Sequence, residues 1–400
     1  MQTIEVKFIL WSLAAFACAG IIAFASTPLV KILAQKVGAI DVPKDSRRMH
    51  KVPIPRMGGL AIFLGFLFSV LIFVDITPQL QGILIGAIVI VILGIVDDII
   101  PLPALLKFVV QILAALIVVY HGTRITMFSN PNIFSDTPYI NLGVWSIPIT
   151  VLWIVAITNA VNLIDGLDGL AVGVSSIASC SLFVIAIIVP EHTIALLMAA
   201  LAGACIGFMP YNLNPAKIFM GDTGSTFLGF ILASVSIQGL FKFYAVISFA
   251  VPFLILGLPI FDTMFAIGRR LLHGQNPMTA DRGHVHHRLI DMGFNQKQSV
   301  TILYLMSGLL GLSAVVLTSS GEIKALFLVL AVILAIVIGT KIFMDLSTSN
   351  KQTESPSGDG SKESKDANPT ETSQDSTTNK KDSELDTSPK EDIPSDTKES

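Results

Sequence analysis

Asn159-Ala160-Val161-Asn162-Leu163-Ile164-Asp165-Gly166-Leu167-Asp168-Gly169-Leu170 is a polar island between apolar runs at 147–157 and 171–189. Two amides and two carboxylates do not face hydrocarbon cheaply, and ionisable groups at such a depth point to a functional site by default. Positions 159, 162, 165 and 168 recur every third residue, so on a helix they drift slowly round one face. Gly166 and Gly169 point instead to a broken or tightly turned backbone that lets a ligand come close. Either geometry converges oxygens on a cation. The plainer alternative is a polar loop between two spans.

The apolar flanks are typical of the whole chain. Of its 400 residues 14% are charged, against about 25% in soluble domains. That composition indicates a polytopic membrane protein. A span needs about 20 apolar residues, and eleven are expected at 8–30, 58–76, 80–96, 104–120, 143–158, 170–190, 194–210, 224–241, 245–267, 299–319 and 322–345. The first run is too long, with too little basic sequence ahead of it, for a cleavable signal. The expected fold is therefore all-α, a membrane helix bundle of about 11 transmembrane helices. Cys18, Cys180 and Cys205 sit in apolar runs and behave as small core hydrophobes.

Basic residues set the orientation. The loop 31–56 carries seven and the loop 268–298 carries five, while the alternate loops are nearly bare. The N-terminus is thus expected outside and the C-terminus in the cytoplasm. Asp97-Asp98, the 159–170 island, Asp222 and a histidine cluster then share the cytoplasmic side. The segment 121–142 is expected as a small external loop or hairpin. Residues 1–346 form the membrane-embedded domain. Residues 347–400 are almost wholly polar and lack the apolar surface to offset the entropy of ordering. They are expected as a disordered acidic cytoplasmic tail.

Four further stretches carry chemistry. Asp97-Asp98 ends the third span; adjacent carboxylates favour a shared cation or one raised pKa, so one binds Mg2+ while the other acts as a base, or both simply mark the membrane exit. Asp222 stands between glycines in Lys217-Ile218-Phe219-Met220-Gly221-Asp222-Thr223-Gly224-Ser225 and suits a hard cation, or a helix cap. His284, His286, His287 and Arg288 fall within Asp281-Arg282-Gly283-His284-Val285-His286-His287-Arg288-Leu289. Their density suits a diphosphate through charge-assisted bonds; zinc, with no cysteine nearby, and an inert basic loop are the rivals. Lys51 and Arg56 flank Pro53 and Pro55 before Gly58-Gly59 and are placed to meet a lipid phosphate, unless they only mark topology. Arg269 and Arg270 close the ninth span as substrate contacts or topology anchors. No phosphate-loop, dinucleotide or nucleophile-elbow motif is present, and the few basic residues lie in membrane-adjacent loops, which argues against nucleic acid.

The chain resembles the polyprenyl-phosphate N-acetylhexosamine-1-phosphate transferase family, known as glycosyltransferase family 4. Five stretches carry the likeness: Pro55–Gly59, Asp97-Asp98, Asn159–Leu170, Pro215–Ser225 and His284–Leu289. Val161–Gly166 and His284–Arg288 resemble the branch that uses UDP-N-acetylglucosamine. The sister branch, which uses UDP-N-acetylmuramoyl-pentapeptide, typically has Pro-Thr-Met-Gly-Gly where this chain has Pro55-Arg56-Met57-Gly58-Gly59. The resemblance implies transfer of N-acetylglucosamine 1-phosphate to undecaprenyl phosphate at the cytoplasmic face of the cell membrane, releasing UMP. The product would start a lipid-linked envelope glycan such as a teichoic acid linkage unit or O-antigen. It implies Mg2+, with Mn2+ as a substitute, on Asn162 and Asp222. Asp97 or Asp98 would be the base, with Asp97 preferred. Asp165 and Asp168 would complete the polar floor. Lys51 would hold the lipid phosphate, and Asn159, Arg269, His284, His286, His287 and Arg288 would contact substrate. A homodimer is the assembly left open. A secondary transporter is the remote alternative; its sites belong near the middle of broken spans, whereas these groups gather at one surface.

Overall fold

A computed structural model describes residues 6–43, 52–129, 139–239, 247–272, 274 and 284–320. The chain divides into units 1–348 and 349–400, and every described residue belongs to the first. The expected eleventh span, the acidic tail and Lys51 lie outside the described residues.

In chain order the elements are α1 (Val6–Val37), β1 (Ile40–Asp41), β2 (Ile54–Pro55), α2 (Gly59–Phe73), α3 (Pro78–Ile99), α4 (Ala104–Tyr120), β3 (Met127–Ser129) and β4 (Tyr139–Asn141). There follow α5 (Ser146–Leu163), α6 (Leu170–Ile188), α7 (His192–Asn212), α8 (Gly221–Gly239), α9 (Ile247–Ile255), α10 (Gly257–Leu272), α11 (Val285–Asp291) and α12 (Gln296–Ser320). By length and composition α1, α3, α5, α6, α7 and α12 can each cross a membrane, and α2 and α4 are shorter apolar helices. Large apolar side chains such as Ile21, Leu105 and Leu152 point outward. The protein is a helical, multi-pass membrane protein. The segment 121–142, expected as a loop or hairpin, carries the antiparallel pair β3–β4.

Local chemistry sets the helix ends. Thr77 accepts from Leu80 N at 3.2 Å and Pro78 takes the first position of α3, where its missing N–H removes nothing. Between α5 and α6 the chain turns over residues 164–169, and Gly169 adopts a left-handed φ of 81°. The broken-backbone reading of the island is therefore the observed one: Asn159 and Asn162 lie on the end of α5, and Asp165 and Asp168 lie in the turn.

Helix α8 is the axis of the bundle. Phe227, Leu228, Phe230, Ile231 and Ala233 are fully buried along it, and α2, α3, α5 and α6 pack against it. A helix buried on every side needs apolar or small residues all round, which its Gly-Ser-Ala-Phe sequence supplies. Gly94 of α3 packs on the backbone of Asp222 and Thr223, and a Cβ there would enter that backbone. This contact brings the ends of α3 and α8 together.

One expected span is split. The run 245–267 breaks between α9 and α10. Pro259 has no N–H for the carbonyl of Ile255, so that rung is missing, while Leu256 N still donates to Pro252 O and Ile260 N to Leu256 O. On α10 the polar residues Asp262 and Arg270 face inward with Ala266, while Phe261, Met264 and Phe265 face out. Polar groups turned inward and apolar ones outward are what a lipid environment selects.

Candidate active site

The two adjacent aspartates do different work. Asp98 is buried, and its carboxylate accepts from Asp222 N at 3.0 Å, Thr223 N at 3.1 Å and Thr223 Oγ1 at 2.7 Å. The first backbone N–H groups of α8 have no partner within that helix, so Asp98 caps α8 from α3. A negative charge is also favoured at this end of the helix. Asp97 points another way. Its Oδ1 accepts from Leu102 N at 2.8 Å and its Oδ2 lies 3.1 Å from Lys107 Nζ.

Lys107 joins two acids. Its ammonium also donates to Asp222 Oδ2 at 3.0 Å, so carboxylates from α3 and α8 converge on one cation from α4. Arg56 closes the other side, with Nε 3.4 Å from Asp98 Oδ1 and Nη2 3.7 Å from Asp222 Oδ1. The loop bearing Arg56 is fixed by backbone bonds. Arg56 N donates to Ala39 O at 2.9 Å, and Gly58 N and Gly59 N donate to Phe219 O and Met220 O at 2.9 and 2.8 Å. Met57 adopts φ 74°, a conformation uncommon outside glycine, and makes the sharp turn that follows Arg56.

The island enters from α5. Ser225 Oγ donates to Asn162 Oδ1 at 2.6 Å and to Gly221 O at 3.0 Å, so Asn162 is held beside the start of α8. Asn159 faces α4 and donates to Gln111 Oε1 at 2.6 Å and Val155 O at 2.8 Å. Asp168 accepts from Asn214 Nδ2 at 2.9 Å and Ala216 N at 3.1 Å, and Asn214 also donates to Gln296 Oε1 at 2.7 Å. Burial and the nearby Asp222 raise the Asp165 carboxyl to about 7, against the pull of Arg56.

Part of this network lines a cavity of about 480 Å³, within the usual range for small-molecule sites; Asp97, Asp98 and Asn159 stand behind its wall and are not among the lining residues. Arg56, Lys107, Asn162, Asp165, Asp222 and His287 reach it, and Asp168, Asp41 and Gln296 line it too. The histidine cluster is divided. His287 lines the cavity. His284 Nδ1 lies 2.9 Å from Asp262 Oδ2, and His286 is 3% exposed with its ring against Gly166. Burial, with His287 alongside, pushes His286 down to about 4. The Arg288 guanidinium lies over the Phe265 ring, 4.6 Å from its centre. Arg269 lies in the last turn of α10 and is not among the cavity-lining residues.

Sequence reasoning missed Lys107, Gln111, Asp41, Asp262 and Asn214. A signal existed for Lys107: a lone ionisable residue in an apolar run points to function, and Gln111 is one helical turn on, on the same face. Asp262 offered the same signal inside its own apolar run. Asp41 and Asn214 sit in ordinary polar loops and offered none.

Among the described residues no group of three or more His, Cys, Asp or Glu side chains has metal-binding geometry. Two carboxylates nevertheless already converge on a cation, the Lys107 ammonium, with the Asn162 amide nearby. Mg2+ commonly takes one or two carboxylates and completes its shell with water and substrate phosphates. The donor set fits that pattern.

Comparison with known proteins gives one answer. Residues 80–240 match the family model described as glycosyl transferase family 4. A Bacillus subtilis protein named "Probable undecaprenyl-phosphate N-acetylglucosaminyl 1-phosphate transferase" is 43% identical over 309 residues, covering 77% of this chain and 85% of the relative. A Mycolicibacterium smegmatis protein named "Decaprenyl-phosphate N-acetylglucosaminephosphotransferase" is 33% identical over 350 residues, 80% and 86% of the two chains. A Thermotoga maritima protein named "Undecaprenyl-phosphate alpha-N-acetylglucosaminyl 1-phosphate transferase" is 32% identical over 297 residues, 73% and 88%. Identity at this level over most of both chains, with the family model matching residues 80–240, means that the chain belongs to glycosyl transferase family 4.

Proposed function

We propose that the protein transfers N-acetylglucosamine 1-phosphate from UDP-N-acetylglucosamine to undecaprenyl phosphate at the cytoplasmic face of the cell membrane. The observation that carries this reading is the convergence of Asp97 and Asp222 on Lys107, with Arg56 opposite, where Lys107, Arg56 and Asp222 line a cavity of about 480 Å³ and Asp97 stands behind Lys107. The names of the relatives support the donor and the acceptor.

A lipid phosphate oxygen attacks the sugar-linked phosphorus of the donor. A new phosphorus–oxygen bond forms there, the bond to the bridging oxygen breaks, and UMP leaves with that oxygen and its electrons. Both substrates are anionic, so the protein must offset charge where they meet. Arg56 and Lys107 supply two cations at the cavity wall and are worth most where water is excluded. Asp222 and Asn162 would hold Mg2+, Mn2+ being a substitute; the bound ion would supply charge neutralisation and polarise the diphosphate.

Of the paired aspartates, Asp97 is the better placed to orient or deprotonate the lipid phosphate, because it shares Lys107 with the cavity-lining Asp222, whereas Asp98 is occupied with the α8 cap. The second pKa of a phosphate monoester lies near 6, so positioning is the larger part of this role. Asp165 and Asp168 form the floor, and His287 meets the donor diphosphate or the departing UMP. The basic bias of the loops supports an N-terminus outside. The lipid product would begin an envelope glycan such as a teichoic acid linkage unit or O-antigen.

The test is donor competition. Purified protein with Mg2+ and undecaprenyl phosphate should release UMP from UDP-N-acetylglucosamine, undisturbed by excess UDP-N-acetylmuramoyl-pentapeptide. Release with the pentapeptide donor alone would move the chain to the sister activity.

A further inference from the structure

The histidine motif is far from the catalytic aspartates in sequence, and the residues before it, 275–283, lie outside the described chain. What holds it against the cavity is visible. Asp262, on the inward face of α10, is 3% exposed. Its Oδ1 accepts from Val285 N at 2.7 Å, the first N–H of α11, and its Oδ2 faces His284 Nδ1 at 2.9 Å. A carboxylate only accepts, so the contact puts a proton on His284 Nδ1. The His284 ring stacks on His286, with centres 5.7 Å apart and planes within 10°. The His286 ring packs against Gly166, where no side chain fits. His286 in turn lies against His287, centres 4.3 Å apart.

A continuous set of contacts thus runs from Asp262 through His284 and His286 to His287 and the island. The arrangement follows the rule by which an outer carboxylate fixes the tautomer and orientation of a functional histidine. Arg288 over Phe265 gives α11 a second hold on α10.

We propose that Asp262 is a positioning residue for transfer: it clamps the start of α11 to α10, sets the His284 tautomer, and thereby holds His287 in the cavity. Asp262 touches no substrate. The inference rests on the proposed reaction in one respect, that His287 meets the donor. It assigns His284 and His286 to support.

Asp262→Asn is the discriminating variant. Its side-chain oxygen still accepts from Val285 N, but its amide donates to His284 Nδ1 and moves the ring proton to Nε2. Donor KM should rise about tenfold while the KM for undecaprenyl phosphate stays within about twofold. His287→Ala should raise donor KM in the same way, and the double variant should add little, since the two act through one contact. Asp262→Glu, which keeps the carboxylate, should recover part of the loss.

A second readout needs no turnover. Ring-nitrogen NMR of isotope-labelled histidine, seven in the chain, with the His284 signal assigned by its loss in His284→Ala, should show that signal change from the Nδ1–H to the Nε2–H form in Asp262→Asn. Unchanged donor KM, equal loss for both substrates, full additivity with His287→Ala, or an unmoved His284 signal would each overturn the proposal. A wild-type protein that transfers nothing defeats the functional reading instead, and the NMR signal then decides the clamp by itself.

Discussion

Lys107 sets the charge of the site at the scale of single residues. It stands between Asp97 and Asp222, where repulsion between the acids would otherwise be strongest. Lys107→Met keeps the length of the chain and removes the charge. Transfer should fall by about 100-fold or more, as expected for a preorganised charge facing a developing anion, and a rate above half that of wild type would contradict the role. His286 gives a prediction of a different kind. Its pKa is about 4 in the folded protein and about 6.5 when unfolded. The unfolded chain therefore binds the extra proton first, and folding stability declines as pH falls from about 6.5 towards 4. The difference is roughly 3 kcal/mol when fully developed. His286→Gln should flatten that decline in thermal unfolding followed from pH 7 to pH 4.5. An unchanged slope would mean that His286 is not held neutral. Asp97, Asp98, Asp165, Asp168 and Asp222 stood out in the sequence as carboxylates between apolar runs, whereas Asp41 and Asp262 were missed. The division of labour was not legible, because the orientation of Asp97 and Asp98 depends on where α8 begins, a tertiary fact.

Among the elements, α8 decides where the chemistry sits, through a cap supplied by another helix. Asp98→Asn places an amide N–H against the backbone donor Asp222 N or Thr223 N. Leaving buried donors without acceptors costs about 1–3 kcal/mol each. The melting temperature should therefore drop by several degrees, and activity should fall with it as Asp222 moves. A melting temperature equal to wild type would remove the cap from the account. Most helices were readable as apolar runs, and a loop or hairpin was readable between two of them. The split of α9 from α10 was missed, although Pro259 was in plain view: proline is tolerated in membrane helices when neighbours satisfy the freed carbonyl, so its presence alone does not announce a break. The cross-helix partners Asp98–Thr223, Asn159–Gln111 and Asp262–His284 join residues 22 to 125 positions apart, and no local pattern encodes them.

On the scale of the whole molecule, one cavity gathers residues from α4, α5, α8, the loop before α2 and the region after α10, so a soluble donor and a lipid acceptor can meet only if that cavity opens to one side. The positive-inside bias predicts the side. In intact cells, after replacement of Cys18, Cys180 and Cys205, an Asn141→Cys variant should react with a membrane-impermeant thiol reagent, and a Gly274→Cys variant should react only after the membrane is opened. The reverse pattern would turn the topology over. The most direct test of the central claim follows the atoms. UDP-N-acetylglucosamine carrying tritium in the sugar and radioactive phosphorus at the sugar-linked position is incubated with undecaprenyl phosphate, Mg2+ and the purified protein. The account predicts that both labels enter the lipid phase in equal amounts, together with an equal amount of unlabelled UMP. Tritium in the lipid with the radioactive phosphorus left behind in UDP, or no lipid-dependent label with this donor, would contradict it.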